Sequence, residues 1–310
     1  MAGFLAVSSA AASARAGSFG PYQTWYSSTF YGAKGTFLAD VSGDGKADAI
    51  AVGTGSIGVL LSNGSSFGSY QTWASIPFYG SQGTFFADVT GDGKADAIAV
   101  GDNYIGVLPS TGSAFGSYQT WAGIPFYGTH GATLFGDVNG DGKADAVAVG
   151  DDYVGVLLSN GSSFGSYQTW ATGTFWNTSN PSKKFLADVD GDGKDDLIVS
   201  GSVWTYVYLS TGTGFSFTGA GYATEQADWI TDVNGDGKAD YVEWSYNATY
   251  SWYNYFRVLP ASGSGFTTSE TWSTLPFLGS HATLMADITG DGKGDAVAFG
   301  DGYIGVLPAN

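Results

Sequence analysis

The chain has 310 residues and a net charge of −17, with 43% apolar and 16% aromatic residues. Eleven basic residues are too few for a phosphate-binding stripe, which weighs against nucleic acid and anionic membranes as partners. No apolar run approaches the roughly 20 residues that span a bilayer, and the absence of cysteine excludes disulfides, thiol nucleophiles and cysteine-ligated zinc.

Residues 1–16, MAGFLAVSSAAASARA, stand apart as an N-terminal extension. Ala14-Arg15-Ala16 fits the small-x-small pattern of a secretion-signal cleavage site, but the basic start is missing and the apolar run is short. From residue 17 the chain repeats itself. DVSGDGKAD at 40 returns as DVTGDGKAD at 88, DVNGDGKAD at 137, DVDGDGKDD at 188, DVNGDGKAD at 232 and DITGDGKGD at 287. The intervals are 48, 49, 51, 44 and 55 residues.

Each unit holds four short apolar runs. In the second these are Thr84–Val89, Ala97–Gly101, Ile105–Leu108 and Ser117–Trp121, bounded by Gly, Asn, Asp or Ser. Such runs read as strands, and no stretch has convincing helical periodicity. Four strands per 40–50 residues predict an all-β, six-bladed propeller, with strands A to D running outward in each blade. The last unit ends after its third strand. Phe19-Gly-Pro-Tyr-Gln-Thr-Trp25 copies Phe67-Gly-Ser-Tyr-Gln-Thr-Trp73, so the N-terminal strand is expected to complete the sixth blade and close the ring. Residues 17–310 then form one domain.

The acidic loop joins strands A and B. Its candidate metal ligands are Asp40, Ser42, Asp44 and Asp48; Asp88, Thr90, Asp92 and Asp96; and Asp137, Asn139, Asp141 and Asp145. They continue with Asp188, Asp190, Asp192 and Asp196; Asp232, Asn234, Asp236 and Asp240; and Asp287, Thr289, Asp291 and Asp295. Alternating oxygen side chains at positions 1, 3 and 5, with a carbonyl near 7 and a carboxylate at 9, can converge on one hard cation. All-oxygen sites of this kind suit Ca²⁺. Six such ions would bring the net charge from −17 to about −5, and ion binding is expected to be coupled to folding. An Asp/Gly turn without metal is the plainer alternative.

The unit FFADVTGDGKADAIAVG…IGVLPSTGSAFG resembles the FG-GAP/VCBS repeat, the blade type of integrin α-subunit propellers. It is similar still to the PVL-type propeller lectins. The resemblance covers residues 17–310 and implies calcium in the A–B loops and sugar pockets between blades, often for N-acetylglucosamine. The chain departs from that pattern in blade number: integrin α and several lectins of this type have seven blades, and the repeats here count six.

Strand alternation puts the acidic loops on one rim and the D–A and B–C loops on the other. On that second rim the candidate sugar-binding residues are Tyr31, Lys34, Tyr79, Gln82, Tyr127, His130 and His281 from D–A loops, and Tyr104, Tyr153 and Tyr303 from B–C loops. An aromatic face beside a few oriented polar groups is what a monosaccharide requires. The resemblance puts Gln82 and His281 near the polar contact, and the family's Trp-Arg pair has no match. Phe78, Phe126 and Phe277 are expected to pack between blades, as is the recurring tryptophan of strand D.

Two units depart from the pattern. The fourth has a long connection at 175–184, and the fifth an aromatic hairpin at 244–255. Three glutamates, two histidines and no nucleophile–base pair argue against catalysis. The expected function is therefore a secreted, calcium-stabilised, multivalent lectin for glycans or glycoproteins. An integrin-like adhesion module or the accessory domain of a secreted polysaccharide-active enzyme is the alternative.

Overall fold

The computed structural model describes residues 17–129, 132–175, 182–222, 226–246 and 254–310. The extension at 1–16, His130, most of the 175–184 connection and the tip of the 244–255 hairpin lie outside the described residues.

Twenty-four strands form six four-stranded antiparallel sheets arranged as the blades of a ring, with no helix among the described residues. Blade 1 consists of β2 (Gly35–Ala39), β3 (Asp48–Val52), β4 (Ile57–Leu60) and β5 (Gln71–Ala74), hydrogen-bonded in chain order. Blades 2 to 5 repeat this order. Blade 6 combines β22 (Ala282–Ala286), β23 (Asp295–Gly300) and β24 (Tyr303–Leu307) with β1 (Gln23–Tyr26), the N-terminal strand. The predicted closure is thus observed, and β1 covers the outer edge of β24 that would otherwise stand unpaired.

The composition of each strand follows from its place. Strand B is covered on both faces by neighbouring blades, so β3 and its counterparts in blades 2, 3, 4 and 6 are buried throughout and read as short apolar runs such as Asp48-Ala-Ile-Ala-Val52. The inner strands converge on the axis, where Phe37, Phe85, Phe86, Phe135 and Phe185 line a narrow channel of about 300 Å³. Every outer strand carries a register shift that turns it along the blade edge.

The outer-strand tryptophans are buried, as expected. Each of Trp25, Trp73 and Trp121 meets a phenylalanine of the following blade edge-on: Phe67, Phe115 and Phe164. The amides of those phenylalanines donate to the tryptophan carbonyls. Phe78, Phe126 and Phe277 are also buried between blades.

Candidate functional site

The six acidic loops share one geometry. Asp40 gathers the loop around its own carboxylate: Gly43 and Asp44 donate backbone N–H to Oδ1 at 2.6 and 3.2 Å, and Gly45 to Oδ2 at 2.7 Å. Only glycine takes the φ of about 80° at Gly43 and Gly45 without strain. At the far end, the position-nine carboxylate is buried in all six loops. Its Oδ1 accepts the backbone N–H that opens the C–D loop of the same blade: from Ser62, Ser110, Ser159, Ser210, Ala261 and Ala309, at 2.7–2.8 Å. That bond ties the two loops of the rim together.

The loops are also bonded to one another around the ring. The position-eight amide donates to the position-one carbonyl of the preceding blade: Ala47 to Asp287, Ala95 to Asp40, Ala144 to Asp88, Asp195 to Asp137, Ala239 to Asp188 and Gly294 to Asp232, at 2.6–2.7 Å. The cycle closes on itself. Hydroxyls of Ser62, Ser110, Ser159 and Ser210 add bonds to Ile288, Val41, Val89 and Val138 of the preceding loops. Each loop lysine lies against the fourth-position glycine of the loop before it, as Lys94 does against Gly43 and Lys46 against Gly290.

The donor set fits a hard divalent cation. Asp188, Asp190 and Asp196 bring one carboxylate oxygen each to within 4.8 Å of one another. Asp145 Oδ2 is buried and has no hydrogen-bond partner, an arrangement that costs free energy unless a cation sits against it. Burial pushes Asp48, Asp145 and Asp196 from the usual carboxylate range up to about 7, and Asp96, Asp240 and Asp295 up to about 6. Position five is arranged differently. Asp44, Asp92, Asp141, Asp192 and Asp291 each face the lysine two residues on, Asp44 at 2.9 Å and Asp291 at 3.4 Å. These contacts are exposed and add little stability.

The opposite rim is built from side chains. Tyr31 stacks on His281, with ring centroids 3.7 Å apart, and His281 Nε2 lies 2.7 Å from Asp301 Oδ1 in the B–C loop of blade 6. One blade on, Lys34 occupies the place of His281 and puts its Nζ 4.4 Å above the Tyr79 ring. Gln82 and Ser81 both donate to Asp102 Oδ1 at 2.8 Å. Tyr127 is exposed, and Thr129 beside it donates to Asp151 at 2.7 Å. The glycine that follows the aromatic is fixed by sterics: a Cβ on Gly80 would stand 2.1 Å from the Val100 carbonyl oxygen.

Tyr104 is exposed and Tyr153 and Tyr303 are half-buried, but none of the three rings stands clear of its own blade. Each ring folds back over the glycine at the end of its own strand B: Gly101, Gly150 and Gly300. Blade 1 has Ser56 at that position. There the groove between blades 6 and 1 opens into a cavity of about 400 Å³, lined by Tyr26, Thr29, Tyr31, Gly53, Ser56 and Tyr70 among others. Tyr70, just before the outer strand β5, is half exposed, whereas Trp73 on that strand is buried. The clue to its place was present in the chain: Gly58 on the adjacent strand leaves room for the ring that lies across it.

The profile of the FG-GAP-like repeat matches residues 40–99, 88–148, 137–199 and 188–242. No curated protein matches the chain. Among solved structures, a lectin of Agrocybe aegerita that recognises non-reducing terminal N-acetylglucosamine is similar, with a TM-score of 0.61 and 22% identity. The similarity covers 88% of this chain and 75% of that one. The Tc holotoxin pore of Photorhabdus luminescens gives 0.65 and 18%, over 94% of this chain and 14% of that one. The PQQ-bound aldose sugar dehydrogenase of Streptomyces coelicolor gives 0.53 and 13%, over 94% and 98%. At these identities the likeness is one of fold, and propellers carry unrelated functions on one architecture. The repeats matched across residues 40–242 establish the family: this chain belongs to the FG-GAP-like repeat proteins.

Proposed function

We propose that this protein is a secreted, calcium-stabilised lectin that binds saccharide units in the grooves between adjacent blades and performs no catalysis. The observation that carries this reading is the cavity between blades 6 and 1. Its size suits one sugar ring, Tyr26, Tyr31 and Tyr70 offer aromatic surface, and Thr29 and Ser56 supply hydroxyls. The fold shared with an N-acetylglucosamine-specific lectin supports the ligand class.

In each A–B loop the carboxylates at positions 1 and 9, with the oxygen at position 3, would hold the ion. Calcium there supplies positive charge where buried carboxylates otherwise repel one another. The loop residues set the backbone of the acidic rim, and the blades thereby hold the opposite rim in register. On that rim, stacked Tyr31 and His281 form one wall, and Asp301 orients the imidazole. Variation among His281, Lys34 and Gln82 at one repeat position makes the grooves unequal, so binding to clustered glycans gains from several weak contacts at once.

Ser56→Tyr tests the reading. Blades 2, 3 and 6 already accommodate tyrosine at this position, so the variant folds with an unchanged melting temperature and its ring fills the cavity. On a glycan array with calcium present, the wild type binds N-acetylglucosamine-terminated or other neutral glycans, and Ser56→Tyr loses much of that signal. A wild-type protein that binds no glycan but retains a protein ligand would replace the lectin reading with an adhesion module.

A further inference from the structure

The groove between blades 4 and 5 is built from different residues. In blade 5 Glu243 pairs with Arg257 across strands B and C, in the register that Ala51 and Gly58 hold in blade 1. Arg257 opposite Thr271 likewise matches Gly58 opposite Thr72, which puts Ser269 where blade 1 has Tyr70. In four blades the tyrosine lies over the strand-C glycine: Tyr70 over Gly58, Tyr118 over Gly106, Tyr167 over Gly155 and Tyr22 over Gly305. In blade 5 that region is a cavity of about 420 Å³, lined by Glu243, Arg257, Phe266, Thr267, Thr268 and Ser269.

The charges there are organised. The Glu243 side chain is almost wholly buried; Arg257 Nη1 lies 2.6 Å from its Oε1, and Arg257 Nη2 donates to Ser269 Oγ at 2.7 Å. The whole chain has two arginines and three glutamates, and one of each stands here. A buried ion pair is a poor means of stabilising a core when small apolar residues serve the same position in neighbouring blades. Its place on the wall of an open cavity points to recognition.

We propose that this cavity is a separate binding site for a neutral, hydroxyl-rich ligand, a saccharide unit. Arg257 and Glu243 cancel each other's charge, so the site as a whole offers no net attraction to an ion. With the pair neutral, the chain's net charge of −17 disfavours an acidic sugar. Thr267, Thr268 and Ser269 are exposed hydroxyls at the mouth, and Phe266 forms an apolar wall. The ligand class rests on the saccharide reading above; the site and its chemistry are new to blade 5.

The test reads Arg257 directly. The only other arginine is Arg15, so Arg15→Lys assigns the Arg257 Nε resonance in the full chain. The probes are the methyl glycosides of glucose, galactose, mannose and N-acetylglucosamine, with methyl glucuronide as the charged counterpart. At least one neutral glycoside shifts the Arg257 resonance saturably, and the glucuronide does not. Glu243→Ala combined with Arg257→Gly and Ser269→Tyr gives blade 5 the residues of blade 1. That triple variant melts no earlier than wild type and binds the responding glycoside about tenfold more weakly or worse, while Ser56→Tyr leaves the Arg257 shift intact. The proposal is overturned if no neutral glycoside moves the resonance, if the glucuronide alone moves it, or if the folded triple variant binds as wild type does. Glycoside binding that Ser56→Tyr removes without any Arg257 response sinks this site and spares the lectin reading. An Arg257 response in a protein whose glycan-array signal Ser56→Tyr leaves unchanged spares this site and removes the cavity between blades 6 and 1 as a sugar site.

Discussion

The acidic rim and the aromatic rim are made by the same six repeats, yet one is uniform and the other is not. On the acidic rim the bond common to all six blade junctions runs through backbone atoms, from the position-eight amide to the position-one carbonyl of the preceding loop. Any unit that keeps Asp, Gly and a short oxygen side chain closes the ring. On the aromatic rim the contacts run through side chains, and the same repeat position holds His281, Lys34 or Gln82. Backbone bonding tolerates no variation in geometry and little in sequence. Side-chain contact leaves each groove free to differ, as recognition requires.

Metal removal should break this contrast most severely. A site held at 100 times its Kd contributes about 2.7 kcal/mol, and six coupled loops share one bonded ring. Excess EDTA should therefore lower the melting temperature more than any single substitution, with calcium restoring it. An unchanged calorimetric trace, together with metal analysis that finds no calcium, would reduce the loops to turns.

Within the aromatic rim, neighbouring residues should separate into packing and recognition. Phe126 is buried between blades 2 and 3, and Phe126→Ala should cost about 3–5 kcal/mol in denaturant unfolding. A cost below about 1 kcal/mol would place that ring outside the core. On the acidic rim, Asp48→Ala removes the acceptor of the Ser62 and Ser42 amides. Leaving a buried amide unsatisfied costs about 1–3 kcal/mol. Its effect should be larger in calcium than in EDTA, because the wild type loses the ion there as well. Equal effects in both conditions would remove Asp48 from the ligand set.

What the sequence showed of this contrast was uneven. Repetition disclosed the six blades and the borrowed strand Gln23–Tyr26, because each is a local pattern copied along the chain. The buried Phe78, Phe126 and Phe277 were legible from their Pro-Phe context and spacing. The closed ring of loop-to-loop bonds was not, since it joins residues such as Ala47 and Asp287 that only the completed circle brings together. Nor was the way Tyr104, Tyr153 and Tyr303 lie over their own strands, which depends on a glycine three residues before each ring. The exchange of Ser56 for those tyrosines opens the groove, and its meaning needs the shape of the neighbouring blade. The Glu243–Arg257 pair was hidden because the two residues lie 14 positions apart in a unit that no longer resembles the others.

The smallest expected effect is the sharpest test of which rim recognises ligand. Tyr127 follows Phe126 directly, stands at the repeat position of Tyr31 and Tyr79, and is exposed. Truncating it removes no core contact of the kind Phe126 makes, so Tyr127→Ala should leave the melting temperature and calcium content unchanged. What it removes is one aromatic face, for which a contact of about 0.5–1.5 kcal/mol is the ordinary scale. That corresponds to a loss of roughly twofold to tenfold in affinity at one groove, and to less on a multivalent surface where the other grooves still bind. Measurement therefore calls for a soluble monovalent glycoside rather than an immobilised glycan. If Tyr127→Ala melts early and binds normally, the ring belongs to packing. Recognition would then rest on the cavity beside Ser56 and on the Arg257 site, with the intervening grooves serving only to hold the blades together.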